Sequence, residues 1–380
     1  LNRTTNSLGA RLLRRWMARP LMELSELNHR QEAISVLVND GLQRMSLREH
    51  LRLIPDIERI VNRVRTYSAS PRDLSNLFHG LKQIPKIISC MNESTVTGNN
   101  LPNTKLVPCD STTDLIGSAI VQNATPNIVD GGYIKDGFDP KLDELRKVSE
   151  NARFGIAAIE PEARKSTGIK SLKVGYNKVF GYYIEVSRSN LDKVPSNFER
   201  RQTLTNGERF ITPKLKELEV QVLNARDRID DLEKDIFKRV CGEIIESSER
   251  IMTSARAMAW LDVISGMAEV AAVNGWIKPK LDKKDAIIIE DGRHPVVEAS
   301  LGPGKFVPND VNLSNSIEQL IIITGPNMSG KSTYIRQVAI LVLMAQIGSF
   351  IPASNAIIGL VDRIFTRAGL GDDIAGGKST

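Results

Sequence analysis

The chain has 380 residues, 41% hydrophobic and 25% charged, a balance that allows two to three folded domains and excludes a disordered or fibrous class. A formal charge of +6 and a pI near 9.1 favour an acidic partner such as nucleic acid without requiring one. Cys90, Cys109 and Cys241 are scattered, which excludes a C-x-x-C zinc site and predicts buried thiols in a reducing compartment; no apolar run reaches the length of a transmembrane helix.

Residues 1 to about 90 read as helical. Leu8, Leu12, Leu13, Trp16 and Met17 recur at helical spacing with arginines between them, and Pro20 ends that helix. A second helix is predicted over 24–37 and a third over 51–64. A fourth starts at Ser70-Pro71, with proline at the favoured first position. The Asn-, Thr-, Ser- and Gly-rich stretch 89–104 is predicted as a loop.

A long helix begins at Asp139-Pro140 and steps through Leu142, Leu145, Ser149, Ala152, Ile156 and Ile159 until Pro161 interrupts it. Its partner follows Thr212-Pro213 and keeps Leu215, Leu218, Val222, Ala225, Ile229, Leu232 and Ile236 in heptad-like steps. Together they predict an antiparallel arm reaching roughly 40 Å. The alternative is a pair of core helices in a compact bundle.

Between the two helices the period changes to two. Leu172, Val174 and Tyr176 alternate, Asn177-Lys178 turns, and Phe180, Tyr182, Ile184 and Val186 follow. Asn206-Gly207 marks a second tight turn before Arg209-Phe210-Ile211. A small β-element is therefore predicted at the arm's tip. Residues 170–214 hold nine Lys/Arg against four acids, most of the chain's excess positive charge. Candidate phosphate-backbone contacts are Lys173, Asn177, Lys178, Arg188, Asn190, Arg200, Arg201, Asn206 and Arg209. That mix of cations and amides suits non-specific DNA binding better than base reading; a merely solvated charged tip is the alternative.

In the last hundred residues, 287–289 is a strand candidate. His294, with no nucleophile beside it, reads as a structural hydrogen-bond donor. The strongest motif comes next. Leu320-Ile321-Ile322-Ile323 reads as a buried parallel-sheet strand running into Gly325-Pro326-Asn327-Met328-Ser329-Gly330-Lys331-Ser332-Thr333, a G-x-x-x-x-G-K-[ST] loop, and then a helix over 331–347. Such a loop turns backbone N–H groups inward toward phosphates, backed by the helix dipole. Lys331 would reach the β- and γ-phosphates of ATP or ADP, and Ser332 would ligate Mg²⁺.

These motifs resemble the MutS family of DNA mismatch-repair ATPases. The Gly325–Thr333 loop is similar to that family's Walker A segment. So are Gly292-Arg293-His294-Pro295-Val296-Val297-Glu298, Asp362-Arg363-Ile364-Phe365-Thr366-Arg367 and the run Gly371–Thr380. Leu172–Asn177, Gly181–Ile184 and Arg200–Asn206 resemble the family's clamp, and Leu12–Trp16 with Pro71–Leu74 its lever core. The resemblance implies a multidomain protein. An all-α lever or core spans 1–151 and 217–280 and carries the long antiparallel arm. A β-rich DNA clamp spans 152–216, and the N-terminal part of an α/β, ABC-type P-loop ATPase domain spans 281–380.

It also implies Phe306 and Val307 on adenine and Ser379 aimed in trans at the partner subunit's nucleotide. Homo- or heterodimers would form through the ATPase domains. A MutL-type repair partner and mismatched double-stranded DNA complete the set, in the bacterial cytoplasm or, for a eukaryotic chain, the nucleus. Both ends read as cuts in a longer protein. No mismatch-reading Phe-x-Glu segment is present, and the chain stops before a Walker B segment. Catalytic residues are therefore unassigned, and the piece is expected to be deficient in hydrolysis. A recombination-type relative, which grips DNA without reading mismatches, and a non-enzymatic DNA-binding scaffold are the alternatives. Ser329 stands where many relatives carry Gly, so the loop must avoid positive φ there.

Overall fold

The computed structural model describes residues 2–92, 105–128, 131–177, 179–302, 304–326 and 329–366. It is mostly helical with two small sheets. In chain order the elements are α1 (Ser7–Ala18), α2 (Leu24–Asn39), α3 (Gly41–Arg52), α4 (Ile57–Arg65), α5 (Pro71–Leu81), α6 (Ile84–Asn92), α7 (Asp110–Ala119) and α8 (Pro140–Thr167). The first sheet follows with β1 (Lys173–Asn177), β2 (Gly181–Ser187), β3 (Glu199–Thr203) and β4 (Gly207–Ile211). After it come α9 (Pro213–Glu246), α10 (Ser248–Asn274), β5 (Lys280–Asp282), β6 (Ala286–Gly292), α11 (Pro295–Leu301), β7 (Asn309–Ser314), α12 (Lys331–Gln346) and β8 (Asn355–Gly359).

The chain forms two compact units. One comprises 1–63, 76–113 and 246–380, the other 64–75 and 114–245. In the first unit α10 is the central helix, packed on by α1, α2 and α3. It is buried nearly all round, as a helix clad on every side must be. Its Asp262 sets where α1 begins. The buried carboxylate accepts from the Thr5 N–H at 2.8 Å, the Thr5 hydroxyl at 2.7 Å and the Asn6 N–H at 3.1 Å. Asn6 then caps α1 by accepting from the N–H groups of Leu8 and Gly9. The unit's sheet has the order β5-β8-β6-β7; β5 runs parallel to β8, and β6 antiparallel to β7 and β8.

In the second unit α8 and α9 lead out of and back from the sheet β1-β2-β4-β3, whose pairings are all antiparallel. At 1.5 Å per residue these helices are roughly 42 and 51 Å long. Sheet and helices share one core. Ala152, Ile156, Ile159 and Ala163 of α8 and Leu215 and Val222 of α9 cluster with Leu172, Ile184, Val186, Phe210 and Ile211. The two-residue and heptad-like periods of the sequence meet in this cluster. Nearer the unit's other end, a buried ion pair ties α8 to α9. Arg146 donates from Nη2 to Oε1 of the fully buried Glu233 at 2.6 Å, and the Gly132 N–H donates to Glu233 Oε2 at 2.7 Å.

Four expectations need correction. The helix expected over 51–64 is two helices, because Pro55 lacks an N–H and α3 stops at Arg52 before α4 starts at Ile57. Pro161 does not interrupt α8, which continues to Thr167. The carbonyl that loses its partner belongs to Ala157, and both residues face solvent, where water replaces the bond. Residues 89–92 of the expected loop complete α6; 93–104 lie outside the described residues. The expected buried strand 320–323 is neither paired nor buried among the described residues, with Leu320 80% and Ile322 79% exposed. A central parallel strand depends on neighbours along both edges and cover on both faces, and no described segment pairs with it.

Candidate functional site

The glycine-rich loop meets α12 at Gly330, whose φ of 88° is left-handed and open to glycine at little cost. Ser329 avoids positive φ, as expected. No side chain caps α12, so its first N–H groups are unclaimed by a capping residue. Lys331 folds back over the loop, donating from Nζ to the carbonyls of Gly325 and Pro326, each at 2.6 Å. Ser332 is exposed and Thr333 half-buried; Asn327 and Met328 lie outside the described residues.

Phe306 is half-buried and Val307 is 77% exposed. The segment just after them touches the first turn of α12, where the Tyr334 hydroxyl donates to the Asp310 carbonyl at 3.0 Å. Burial, with Asp310 nearby, raises the Tyr334 phenol above its usual pKa, so the hydroxyl keeps its proton. His294 is structural, and the bond the structure shows is one it accepts rather than the donated one expected. Its Nδ1 accepts from the Val297 N–H at 3.4 Å and caps α11. Burial lowers its pKa, and the ring is neutral.

The far end of α12 is fastened as firmly. Buried Gln346 bonds both backbone groups of Val361, donating to the carbonyl at 2.9 Å and accepting from the N–H at 3.0 Å. Its own carbonyl accepts from the Leu21 N–H at 3.0 Å. Arg30, lying over the Trp16 ring, donates to the Ile347 carbonyl at 3.0 Å, a cation at the negative end of the helix dipole. Sequence reasoning missed Arg30, Tyr334 and Gln346. A glutamine inside the apolar run 341–351 was the one available signal.

In the first sheet, register decides which cations are free. Lys173, Glu185, Arg209 and Gln202 stand opposite one another in turn and so share a face. Arg209 is already committed there. It pairs with Glu185 at 3.1 Å, donates to Gln202 at 3.0 Å and lies 4.0 Å over the Tyr183 ring. Arg200 pairs with Glu208 at 3.3 Å but stays exposed. Arg201 falls at the register shift between Arg200 and Gln202, where a bulge re-aims a side chain, and it is exposed.

The Arg188 N–H donates to the Asn206 carbonyl at 3.1 Å, which brings those two positions together. Asn177 holds the first turn by accepting from the Val179 N–H at 2.8 Å, and Asn190 donates to Ser187 and Ser171. Lys178 and Ser379 lie outside the described residues. Among the described residues Lys170, Lys173, Arg188, Lys193 and Arg201 are exposed and carry no ion pair. Gly207 lets β4 approach β2, since a Cβ there would stand 2.4 Å from the Val186 carbonyl oxygen. The three cysteines are free and buried, as predicted. Among the described residues no helix is long and apolar enough to cross a membrane.

The described residues thus combine a mostly helical fold with a cation-bearing β-element and a lysine-bearing glycine loop at a helix start. Residues 1–268 match the family model for MutS domain III, and residues 321–380 that for MutS domain V. Relatives named DNA mismatch repair protein MutS align over the whole chain. They include those of Acetivibrio thermocellus at 46% identity, Salinibacter ruber at 42% and Halothermothrix orenii at 45%. The chain belongs to the MutS family. It spans 42–44% of the length of these curated relatives.

Proposed function

We propose that this chain is the lever, clamp and nucleotide-binding portion of a mismatched-DNA-binding ATPase of DNA mismatch repair, in which ATP controls the grip on DNA. The lever would comprise 1–151 and 217–280, the clamp 152–216 and the P-loop portion 281–380. The observation that carries the reading is Lys331. Its ammonium sits on two loop carbonyls at the uncapped start of α12, from which it can turn to an incoming phosphate. A cation, a left-handed glycine and unclaimed helix N–H groups together fit a polyphosphate.

Bound Mg²⁺ and ATP would bring the phosphoanhydride bond and the metal's charge. Lys331 and the Gly325–Ser329 backbone would hold the phosphates, Ser332 the metal, and Phe306 with Val307 the adenine. Ser379 would act on the nucleotide of a second subunit, in a homo- or heterodimer closed through these domains. The five unpaired cations of the clamp sheet would hold the phosphate backbone of double-stranded DNA, with Arg200 joining them when Glu208 releases it. Arg209 would shape the sheet rather than touch DNA. A MutL-type protein would be the downstream partner, in the cytoplasm of a bacterial cell.

The test compares Lys331→Ala with the parent chain for binding of a non-hydrolysable ATP analogue. A loss of tenfold or more, about 1.4 kcal/mol, is expected; equal affinity would overturn the nucleotide reading.

A further inference from the structure

Two side chains that the nucleotide reading leaves idle are buried on neighbouring elements, α12 and the turn it packs against, with polar atoms unmatched. His294 and Gln337 are both 0% exposed, and among the described residues His294 Nε2, Gln337 Nε2 and Gln337 Oε1 have no hydrogen-bond partner. Gln337 projects from α12 against the turn that carries His294. Its amide nitrogen lies 2.9 Å from where a Cβ on Gly292 would stand, two residues before the histidine. That turn is rigid. Asp291 holds a left-handed φ of 50°, its N–H donates to Asp310 Oδ1 at 2.9 Å, and the Arg293 N–H donates to the Pro352 carbonyl at 2.9 Å.

From this geometry we infer that His294 and Gln337 hold a buried water molecule between α12 and the 291–294 turn. The chemistry selects the ligand. His294 Nδ1 is occupied as an acceptor, so the neutral ring carries its proton on Nε2 and needs an acceptor there. Gln337 presents two donors and an acceptor. Water, with two donors and two acceptors, satisfies both side chains at once and has the two to four polar partners that a buried water requires. Neither side chain carries a charge, so an ion would be desolvated there without a counter-charge from them. An unmatched buried donor or acceptor is costly enough that native interiors rarely keep one.

The site gives Gln337 a positioning role. It lies six residues after Lys331, roughly 9 Å along the helix axis. A water-bridged bond to a rigid turn fixes the rotation of α12, and with it the direction in which Lys331 and Ser332 point. Gln337 touches no nucleotide in this scheme. The inference does not depend on nucleotide binding, so its failure and that of the nucleotide reading are separately visible.

The experiment is ¹⁵N-histidine NMR of the 380-residue chain, whose four histidines give four ring systems. The expected result is a neutral His294 ring protonated at Nε2, its Hε2 slowed in exchange and showing a cross-peak to a long-lived water. Gln337→Met should abolish that cross-peak while the tautomer, set by Val297, is retained. A proton on Nδ1 would overturn the inference. So would an Hε2 cross-peak to the Gln337 side chain with none to water. Should Gln337→Met not fold, the parent spectrum alone decides.

Discussion

Under the proposed grip on DNA, five exposed cations without ion pairs, Lys170, Lys173, Arg188, Lys193 and Arg201, set a salt dependence that can be worked out in advance. Each phosphate neutralised on duplex DNA contributes about −0.9 to the slope of log K against log salt, so five give about −4.5. Between about 50 and 200 mM salt the affinity then falls by roughly 500-fold. Arg201→Gln should weaken binding and flatten the slope by about 0.9. Removing Arg209 and Glu185 together, as the Gln/Gln double variant, leaves net charge unchanged and should leave the slope unchanged. Fluorescence anisotropy with duplexes of two unrelated sequences measures all of this and tests the expected sequence tolerance. A parent slope shallower than about −2, or one insensitive to Arg201→Gln, would refute the backbone-grip reasoning.

Glu233→Ala removes the buried carboxylate shared by Arg146 and the Gly132 N–H, while Arg146 keeps Asp136 and the Ile134 carbonyl, and should cost about 1–3 kcal/mol in the second unit. The three tryptophans Trp16, Trp260 and Trp276 lie in the other unit, so amide exchange in α8 and α9 is the appropriate measurement; a cost under about 1 kcal/mol contradicts the buried pair. Gly207→Ala drives a Cβ toward the Val186 carbonyl and should destabilise the sheet by about 1–3 kcal/mol, read as faster exchange in β2 and β4. Unaltered exchange there contradicts the close approach.

Burial alone would raise the Asp56 carboxyl, but Arg11 and the Arg59 N–H more than offset it, and its pKa is lowered. The stability it contributes is present above the unfolded value of about 3.9 and is lost as pH falls through the lower folded value. Acid titration should therefore show Asp56→Asn less stable than the parent near neutrality, with the gap closing at low pH. A gap constant down to the acid limit contradicts the Arg11 pairing.

Much of the fold was legible because its signals are local. Pro71 and Asp139-Pro140 open helices where their backbone chemistry suits a first turn, and the change of period after residue 170 marked the sheet. The failures are equally physical. The sequence pattern runs a helix through Pro55 and stops one at Pro161, yet Pro55 separates two helices and Pro161 rides an exposed face where water takes the lost bond. Leu320–Ile323 has the composition of a core strand, but strand burial is supplied by neighbours and not by the segment itself. At the candidate site, Lys331 was identifiable from spacing alone. The commitment of Arg209 to Glu185 and Gln202 depends on strand register, which one sequence does not display.

The clasp at the C-terminal end of α12 makes that helix a spoke with a fixed hub. Leu21, Val361 and Arg30 all hold its Gln346–Ile347 end, while the Lys331 end is tied by the Tyr334 hydroxyl, by its own loop and, through buried Gln337, by the turn at Gly292. Sixteen residues make a radius of roughly 24 Å. Each ångström that a phosphate draws Lys331 sideways therefore swings the helix by about 2°, an angular movement about the clasp and not a sliding one.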